Sequence, residues 1–359
     1  MRDIFIEYES AQMLHLQGTQ SEQTFILIQE GKKIDVKNIA YHVGGGAANS
    51  AVSFARLGFD VEAFFKVGDD QEGAYVIAEL AKENVSTQHV VHAKDQKTGS
   101  SFIIPCSSGN KAILAYRGAN LTLQESELPW DAIASCDQLY ITSLSAHASQ
   151  LLLPITNYAK KNNKPVAVNP GTSQLDQGAQ ILRESLKNID ILILNSDEAQ
   201  QFMLVLVQTN PALAQEVMRP FPSQKNLQAP QLLQSPLTYQ HICFSFTQYF
   251  REVLSRGPKI VVVTNGAEGV YVAAKDTIYF YPSLPGKVIS TIGAGDAFGS
   301  CFVASLAQGK TIEQALIAGS LNSHSVIEHV GTQTGLLTQQ QLQDSLKNAN
   351  LSLLQTFKL

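Results

Sequence analysis

Ten residues in the last quarter of the chain combine a glycine-rich loop with a carboxylate and an apolar helix. They run from Ser290 to Gly299 and read Ser-Thr-Ile-Gly-Ala-Gly-Asp-Ala-Phe-Gly. Apolar residues recur at helical spacing after Asp296, so a helix is predicted to begin near 293–295. The first amides of a helix have no acceptor within it, and glycine lets an anion approach them closely. The segment therefore predicts an anion-binding loop with a carboxylate beside it.

Asp296 itself has two interpretations. A carboxylate repels a bound phosphate, so its position is best explained if it acts as a general base on an attacking hydroxyl. The alternative is that Asp296 caps the helix while Gly293 and Gly295 form a tight turn. The segment alone leaves both open.

Composition and charge restrict the class of protein. The chain has 359 residues, of which 44% are hydrophobic, and a formal net charge of -5. This length allows one large domain or two ordinary ones with a substantial core. Without a dense Lys/Arg run, neither nucleic acid nor an anionic membrane is an expected partner. The first residues contain no apolar signal core, and no apolar run approaches membrane-spanning length.

The cysteines indicate neither a metal centre nor a disulfide framework. Four are present, Cys106, Cys136, Cys243 and Cys301, and they are far apart, with no C-x-x-C pair and no matching histidines. Reduced thiols and a cytoplasmic location are therefore expected.

From residue 136 onward, strand-like and helix-like stretches alternate, as in parallel sheets with crossover helices. The pattern predicts an α/β fold with a doubly wound, mainly parallel sheet flanked by helices. Ligands of such sheets bind beyond the carboxyl ends of the strands. Asn169, Asn195, Thr264 and Gly293 all fall at that edge.

The first third of the chain has a different pattern, with short strands that form a small sheet. Lid strands are predicted within residues 4–29 and 98–117, and Ser100 to Pro105 with Lys111 to Tyr116 forms a hairpin across 107–110. This sheet is either a lid that excludes water from an active site or an edge hairpin that covers the core.

Residues 199–258 are too many for one crossover connection and contain several prolines. We predict an extended helical insertion here. Its role is left open between an extra excursion, an oligomer contact and a loop. The whole chain is predicted to be one domain, 1–359.

Six motifs in order resemble those of the ribokinase, or PfkB carbohydrate kinase, family, and together they cover nearly the whole chain. They are Gly44-Gly45-Gly46-Ala47-Ala48-Asn49, Gly68 to Gly73, Gly118-Ala119-Asn120, Asn195 to Glu198, Thr264 to Gly269 and Thr291 to Asp296. A single glycine-rich stretch is a weak signal, whereas six matches in the family's order are specific.

The resemblance implies a ribokinase-like kinase domain that uses ATP and Mg²⁺. It assigns Asp296 as the base and Gly293, Ala294 and Gly295 as the anion hole. Substrate contacts fall on Asp3, Gly45, Gly46, Asn49, Asn120 and Asn169. Nucleotide contacts fall on Asn195, Glu198, Thr264, Gly266, Gly269, Asn322 and Gly331, with Glu198 reaching Mg²⁺ through water.

The residue types agree with these roles. An asparagine such as Asn49 both donates to and accepts from sugar hydroxyls, although it also serves as a helix cap. Asn195 and Glu198 are one helical turn apart after a strand, which suits outer-sphere contacts to phosphate-bound Mg²⁺ or, alternatively, a surface capping pair.

Two positions depart from the family pattern. The family's first strand ends in G-x-x-x-x-D, but here Asp3 follows only Met1 and Arg2. Asp3 is either that aspartate, in a chain whose start lies upstream, or simply a charged terminal residue. Ser290 stands where relatives that use a monovalent cation carry an aspartate, so K⁺ dependence is not predicted.

The function that follows is ATP-dependent phosphorylation of a hydroxymethyl group on a sugar or sugar-like substrate. A nucleoside kinase of the same family is the alternative enzyme. A protein that binds sugar or nucleotide without catalysis is a further alternative. The resemblance also implies a homodimer formed through the lid sheet.

Overall fold

The computed structural model describes residues 1–8, 12–17, 22–105, 111–217 and 228–359. The strands are β1 Arg2–Tyr8, β2 Gln12–Gln17, β3 Glu22–Leu27, β4 Val36–Val43, β5 Val61–Glu62, β6 Lys66–Gly68, β7 Val85–Ser86, β8 Val91–Ala93, β9 Ser100–Pro105, β10 Lys111–Tyr116, β11 Leu139–Ile141, β12 Val166–Val168, β13 Ile191–Asn195, β14 Leu237–Tyr239, β15 Ile242–Phe244, β16 Ile260–Thr264, β17 Gly269–Ala274, β18 Thr277–Pro282 and β19 Gln355–Lys358.

The helices are α1 Gly46–Arg56, α2 Gln71–Lys82, α3 Trp130–Ser135, α4 Leu152–Lys161, α5 Thr172–Leu175, α6 Ala179–Ser185, α7 Ser196–Gln208, α8 Pro211–Val217, α9 Gln231–Gln234, α10 Phe246–Leu254, α11 Ala294–Ala307, α12 Ile312–Ile327 and α13 Gln339–Lys347.

A seven-stranded sheet forms the centre, in the order β11-β12-β13-β16-β17-β18-β19. The first four strands are parallel, and the last three pairings are antiparallel. The parallel strands carry uninterrupted apolar runs such as Ile191–Leu194, because helices cover both faces of the sheet. The predicted α/β fold is confirmed, with parallel pairing confined to one half of the sheet.

Helix α11 packs against this sheet and against α1 and α12. Its residues from Ala297 to Ser305 are all buried, which explains why the sequence is apolar nearly all around the helix. The first turn, by contrast, remains accessible at the carboxyl edge of the parallel strands. The apolar residues therefore hold the helix deep in the core and leave its amino end open.

A second, four-stranded sheet has the order β10-β9-β1-β4. The hairpin of β9 and β10 has the predicted bounds, and its turn, 107–110, lies outside the described residues. The predicted lid ranges need one correction, because β4 belongs to the sheet and was missed. Lysine, asparagine and histidine interrupt the apolar pattern of β4, so the strand is weakly marked in the sequence. We call these four strands the lid sheet.

Strands β2 and β3 fall within the predicted lid range 4–29, but they pair with each other in a separate two-stranded ribbon and do not join the lid sheet. Between β13 and β16, the described part of the predicted insertion contains helices α7 to α10 and the short hairpin of β14 and β15. Aromatic side chains of this region, Phe202, Phe246 and Phe250 among them, are fully buried in the main core. The segment therefore packs as part of the core over its described length.

Candidate active site

Asp296 lies in the first turn of α11, directly opposite Asn49 on α1. The N-cap residue of α11, Gly293, has left-handed backbone angles (φ 82°), which turns the chain sharply into the helix. Asn49 Nδ2 donates a hydrogen bond of 2.8 Å to Asp296 Oδ2. Two motifs separated by more than 240 residues are therefore joined by a direct contact.

The amide of Asn49 is held in place from its other side. Its Oδ1 accepts from Thr332 Oγ1 at 2.8 Å and from Gln333 Nε2 at 3.1 Å. Arg56 fixes this loop by donating to the carbonyl oxygens of Gln333 and Leu336, and it also pairs with Glu83. Asn49 thus orients Asp296 and keeps one N–H for a ligand, so its role is wider than the predicted substrate contact.

Asn322 does not lie in the nucleotide pocket assigned to it from the sequence. Its side chain is fully buried. The amide donates to the carbonyl oxygen of Ala297 at 2.9 Å and accepts from the N–H of Leu337 at 2.9 Å. A ligand has no access to it, and we assign Asn322 to the junction of α11 and α12 instead.

Asp3 is part of the same site rather than an exposed terminal charge. It is 5% exposed, and its carboxylate lies so close to Gly44 that a Cβ there would be 1.7 Å from Asp3 Oδ2. Burial, reinforced by the charge of Asp296, raises the pKa of Asp3 to about 6, although the amino group of Met1 and a hydrogen bond from Ser101 oppose this. The charge of Asp296 acts on Asp3, so the two carboxylates lie near each other, and we call the region between them the candidate pocket.

Gly46 opens that pocket to Thr142, a residue that the sequence reasoning missed. A Cβ at Gly46 would lie 3.0 Å from Thr142 Cβ and 3.4 Å from Asp296 Oδ1. Gly45, the N-cap residue of α1, has φ 93°. Thr142 follows β11 at the same edge as Asn169, so its position after a predicted strand was a usable signal.

Tyr140 and Ser50, also missed, form a polar floor with Asn169. The Tyr140 hydroxyl rests on Gly299, where a Cβ would approach it to 2.5 Å, and Asn169 Nδ2 borders the same spot. Neither the Tyr140 nor the Ser50 hydroxyl makes a well-formed hydrogen bond among the described residues, although the two side chains are neighbours. Burial, together with the charge of Asp296, raises the pKa of Tyr140 far above its usual value.

Burial also raises the pKa of Asp296, while the hydrogen bond from Asn49 opposes the shift. A carboxylate with a raised pKa is a stronger base than one in water, and it is therefore better suited to accept a proton from an alcohol. The arrangement around Asp296 can orient a hydroxyl compound and deprotonate it.

Several of the predicted nucleotide residues lie together at the carboxyl ends of the parallel strands. Asn195 and Thr264 are neighbours in the register of β13 and β16. Asn195 Oδ1 accepts from the N–H of Glu198, and Glu198 Oε2 accepts from the N–H of Asn195, each at 2.8 Å. This is the capping pair considered as the alternative, and it leaves Glu198 Oε1 free of this cap. Burial raises the pKa of Glu198.

The glycines of this region differ in their surroundings. A Cβ added at Gly295 or Gly266 would have no neighbouring atoms within 4 Å, so the space above these glycines is open to a ligand. Gly269 instead packs on the backbone of Tyr281 and Pro282 and serves the turn between β16 and β17. Ala294, between the two glycines of the loop, is the first residue of α11.

Two more predicted residues have neighbours of their own. Gly331 lies against His42 of the lid sheet, on the Asn49 side of the site rather than beside Asn195. Asn120 Nδ2 lies near Gly99, at the entry to β9. Both therefore belong to the contact between lid sheet and core.

The fit for a metal-bound nucleotide rests on the open amino end of α11. The N–H groups of Gly295 and Asp296 have no acceptor within their own helix and can bind phosphate. Over the described ranges, no three His, Cys, Asp or Glu side chains are grouped to hold a metal ion. Mg²⁺ would therefore be held mainly by phosphate oxygens and water, with Glu198 as the nearby carboxylate.

Comparison with known proteins identifies the family of this chain. The family model described as pfkB family carbohydrate kinase matches residues 13–219 and 245–339. The chain belongs to the pfkB family of carbohydrate kinases, and it is a sugar kinase of the ribokinase type.

Two curated relatives are similar over most of their length. Ribokinase of Haemophilus influenzae is 26% identical over 89% of this chain and 92% of its own. The 5-dehydro-2-deoxygluconokinase of Bacillus subtilis is 27% identical over 85% of this chain and 87% of its own.

Among solved structures, Arabidopsis thaliana ribokinase complexed with ribose and ATP has a TM-score of 0.71 at 19% identity, covering 96% of both chains. That similarity shows the ribokinase-like α/β fold. Within the described residues, no helix has the length and apolarity needed to cross a membrane.

Proposed function

We propose that this protein transfers the terminal phosphoryl group of ATP to a hydroxymethyl group of a sugar or sugar-like acceptor. Asp296 removes the proton of the acceptor hydroxyl, and the oxygen forms a bond to the γ-phosphorus. The bond between that phosphorus and the bridging oxygen breaks, and ADP leaves. Mg²⁺ on the nucleotide, with Glu198 as the nearby carboxylate, would supply neutralisation of phosphate charge.

The contact between Asn49 and Asp296 is the observation that carries the proposal. If Asp296 only capped α11, it would not need a donor from another helix that is itself fixed by Thr332 and Gln333. A reacting base, in contrast, must be held in one orientation toward its substrate. Asp3, Thr142 and the remaining N–H of Asn49 then offer hydrogen bonds to the other acceptor hydroxyls.

The amino end of α11 supplies the second half of the mechanism. The first-turn amides of Gly295 and Asp296 point toward the phosphoryl group and stabilise the charge on it during transfer. The structure of Arabidopsis thaliana ribokinase complexed with ribose and ATP supports the proposal that this protein binds a sugar and ATP. Asn195, Glu198, Thr264 and Gly266 form the nucleotide end at the same sheet edge.

The decisive experiment replaces the base. Asp296→Asn keeps the size and one hydrogen-bond acceptor, so we expect nucleotide binding to survive while kcat falls by at least about 10³-fold. Asp276→Asn, at an exposed turn between β17 and β18, is the matched control. Near wild-type turnover by Asp296→Asn contradicts the mechanism.

The pH profile gives an independent check. Because burial raises the pKa of Asp296 and the base must be ionised, kcat/KM should rise with pH through that pKa, above the range of an ordinary aspartate. An acid limb at an ordinary aspartate pKa would count against Asp296 as the base.

The acceptor is to be found by thermal-shift screening of sugars and nucleosides with Mg·ATP, followed by ADP release for each hit. ADP release with a sugar supports the proposal. Release with nucleosides alone favours the nucleoside kinase, and stabilisation without release favours a binding protein. Repeating the assay in Na⁺ and K⁺ tests the effect of Ser290, whose Oγ accepts from the N–H of Ile292.

The outer face of the lid sheet supports a homodimer. Tyr41, Ile4, Phe102 and Leu114 lie side by side across its four strands. Tyr41 is 52% exposed and Leu114 is 59% exposed. An apolar row of this kind on a sheet face is typical of an interface, and a second copy covers it symmetrically.

A further inference from the structure

The lid sheet carries one lysine that reaches the loop before α11. Lys111, the first residue of β10, donates a hydrogen bond of 2.8 Å from Nζ to Thr291 Oγ1. Thr291 lies two residues before Gly293, at the mouth of the proposed anion site. The contact spans 180 positions in the chain and connects the lid sheet directly to the phosphate-binding loop.

The register of the lid sheet places Lys111 on the face that covers the site. Asp3 is opposite Ser101, and Ser101 is opposite Ala115. Because successive side chains of a strand alternate between faces, Ala115, Ile113 and Lys111 share the face of Asp3. The lysine therefore belongs to the inner surface of the lid sheet and not to its apolar outer face.

Lys111 is partly shielded from water and pairs with no carboxylate among the residues that the structure describes. Other lysines with short contacts, such as Lys66, Lys82 and Lys259, pair with carboxylates. In the described part of the chain, Lys111 forms no such pair, and loss of water alone lowers its pKa to about 8. An ammonium group in this condition is stabilised by any anion that comes within contact distance.

The neighbouring elements supply no other charge that explains the shift in pKa. The residues of β9 along the pairing, Ser100 to Pro105, are uncharged. The loop before α11 carries Lys287 and the hydroxyls of Ser290 and Thr291, and the first turn of α11 carries Asp296. None of them contributes to the shift of Lys111.

We propose that Lys111 is a catalytic residue that contacts the phosphoryl group in transfer when the lid sheet covers the site. Its ammonium group and the first-turn amides of α11 then act on the same oxygens from two sides. Lys111 stays protonated throughout, and the acceptor proton still goes to Asp296. When no phosphate is bound, the ammonium group donates its hydrogen bond to Thr291 Oγ1 instead.

This inference rests on the proposed function and adds a residue to it. The first test needs no acceptor. A lysine with a lowered pKa reacts readily with an acylating reagent at pH 8, and modification of Lys111 can be followed by mass spectrometry. Mg²⁺ with the non-hydrolysable analogue AMP-PCP should protect Lys111 at least about fivefold, and AMP, which lacks the outer phosphates, should not. Equal modification with AMP-PCP and with AMP overturns the inference.

The second test uses turnover with the acceptor identified above. Lys111→Met should lower kcat by about 10²- to 10³-fold, the usual effect of losing one transition-state donor. Lys111→Arg, which keeps the charge, should retain at least about a tenth of the wild-type kcat. Lys37→Met, at an exposed position of β4, is the matched control and should stay within about twofold of wild type.

The pH profile separates a chemical role from a structural one. The wild type should lose kcat/KM for ATP as the pH rises through about 8, because Lys111 then loses its proton in the free enzyme. Lys111→Arg should lack this alkaline limb, because arginine keeps its charge. An alkaline limb that persists unchanged in Lys111→Arg contradicts the inference.

Thr291→Val removes the hydrogen-bond partner of Lys111 but not the lysine. We expect kcat to fall no more than about fivefold. If Thr291→Val is as impaired as Lys111→Met, the lysine only fastens the lid sheet and the inference fails. Loss of activity in Asp296→Asn together with full activity in Lys111→Met refutes the role of Lys111 and leaves the proposed function intact.

Discussion

Two carboxylates, Asp3 from the lid sheet and Asp296 from helix α11, approach the candidate pocket, and neither forms a salt bridge with a lysine or arginine side chain of the described chain. Asp3 is nearly buried in the lid sheet, while Asp296 is held by Asn49 at the end of α11. Each raises the free energy of the folded protein when it is charged. In the proposed function both carboxylates serve the acceptor, because its hydroxyl groups can donate to them.

The stability of the protein should therefore increase when Asp3 loses its charge. The pKa of Asp3 rises from 3.8 to about 6 on folding, so the folded state binds more protons between these values. Unfolding free energy falls as the pH rises through that window and stays lower above it. Asp3→Asn should gain on the order of 1–3 kcal/mol at pH 8 and nothing below pH 3.8.

Urea unfolding at several pH values measures this difference, and Asp276→Asn again serves as the exposed control. The same Asp3→Asn variant should raise the KM for the acceptor, because a carboxylate accepts two hydroxyl bonds that an amide cannot match. Asp3→Asn with reduced stability at pH 8 would contradict the assignment of a destabilising charge.

The site residues that can be predicted from the sequence are those at turns and strand ends, and those inside a strand or helix are missed. Asp296, Asn49, Asn195 and Thr264 follow glycine-rich turns or strand ends, so motif spacing alone brings them to one edge. Tyr140 and Ser50 lie inside a strand and a helix and look like ordinary packing residues. Their relation to Asp296 arises only when α11 packs onto them through Gly299.

Helix α11 links the core to the chemistry through a first turn without bulky side chains. Gly295 needs no special backbone angle and has nothing within 4 Å of a Cβ position, so neither folding nor packing requires glycine there. A residue with this freedom is explained by a ligand that approaches the backbone.

Gly295→Ala should therefore leave the unfolding free energy unchanged or raise it by up to about 1 kcal/mol, because alanine favours the helix. Phosphoryl transfer should fall by about 10- to 100-fold, because the methyl group displaces the phosphate from the first-turn amides. Gly309→Ala at the opposite end of α11, where φ is 80°, should show the reverse: lower stability and normal turnover. Full activity of Gly295→Ala would place the phosphate elsewhere.

The elements themselves were predictable where local pattern and packing agree. The hairpin of β9 and β10 and the apolar strand β13 have continuous β-favouring runs. Strand β4 was missed because its alternation is broken by polar residues, and its position is set instead by pairing with β1 along its length. Long-range pairing of this kind is not visible in a local window.

In the whole molecule, the lid sheet separates an inner face with Asp3 and Lys111 from an apolar outer face. If a second copy covers the outer face, a charge in its centre should break the assembly. Leu114→Lys is expected to convert a dimer into a monomer, measured by sedimentation equilibrium at micromolar concentration. Leu351→Lys, at a leucine that is even more exposed but lies outside the lid sheet, should leave the mass unchanged. A wild-type monomer at about 100 μM would contradict the dimer.

The division of the candidate pocket between the lid sheet and the helices α1 and α11 has a consequence for how such a protein changes over generations. Asp296 and its partner Asn49 sit on α11 and α1, which are tied together by the buried Ser53 and Ser300 hydroxyls, 2.7 Å apart. Asp3 and its surroundings belong to the lid sheet. Under the proposed function, heritable variation in the lid sheet can exchange one acceptor for another while the helices that carry Asp296 and Asn49 are inherited unaltered.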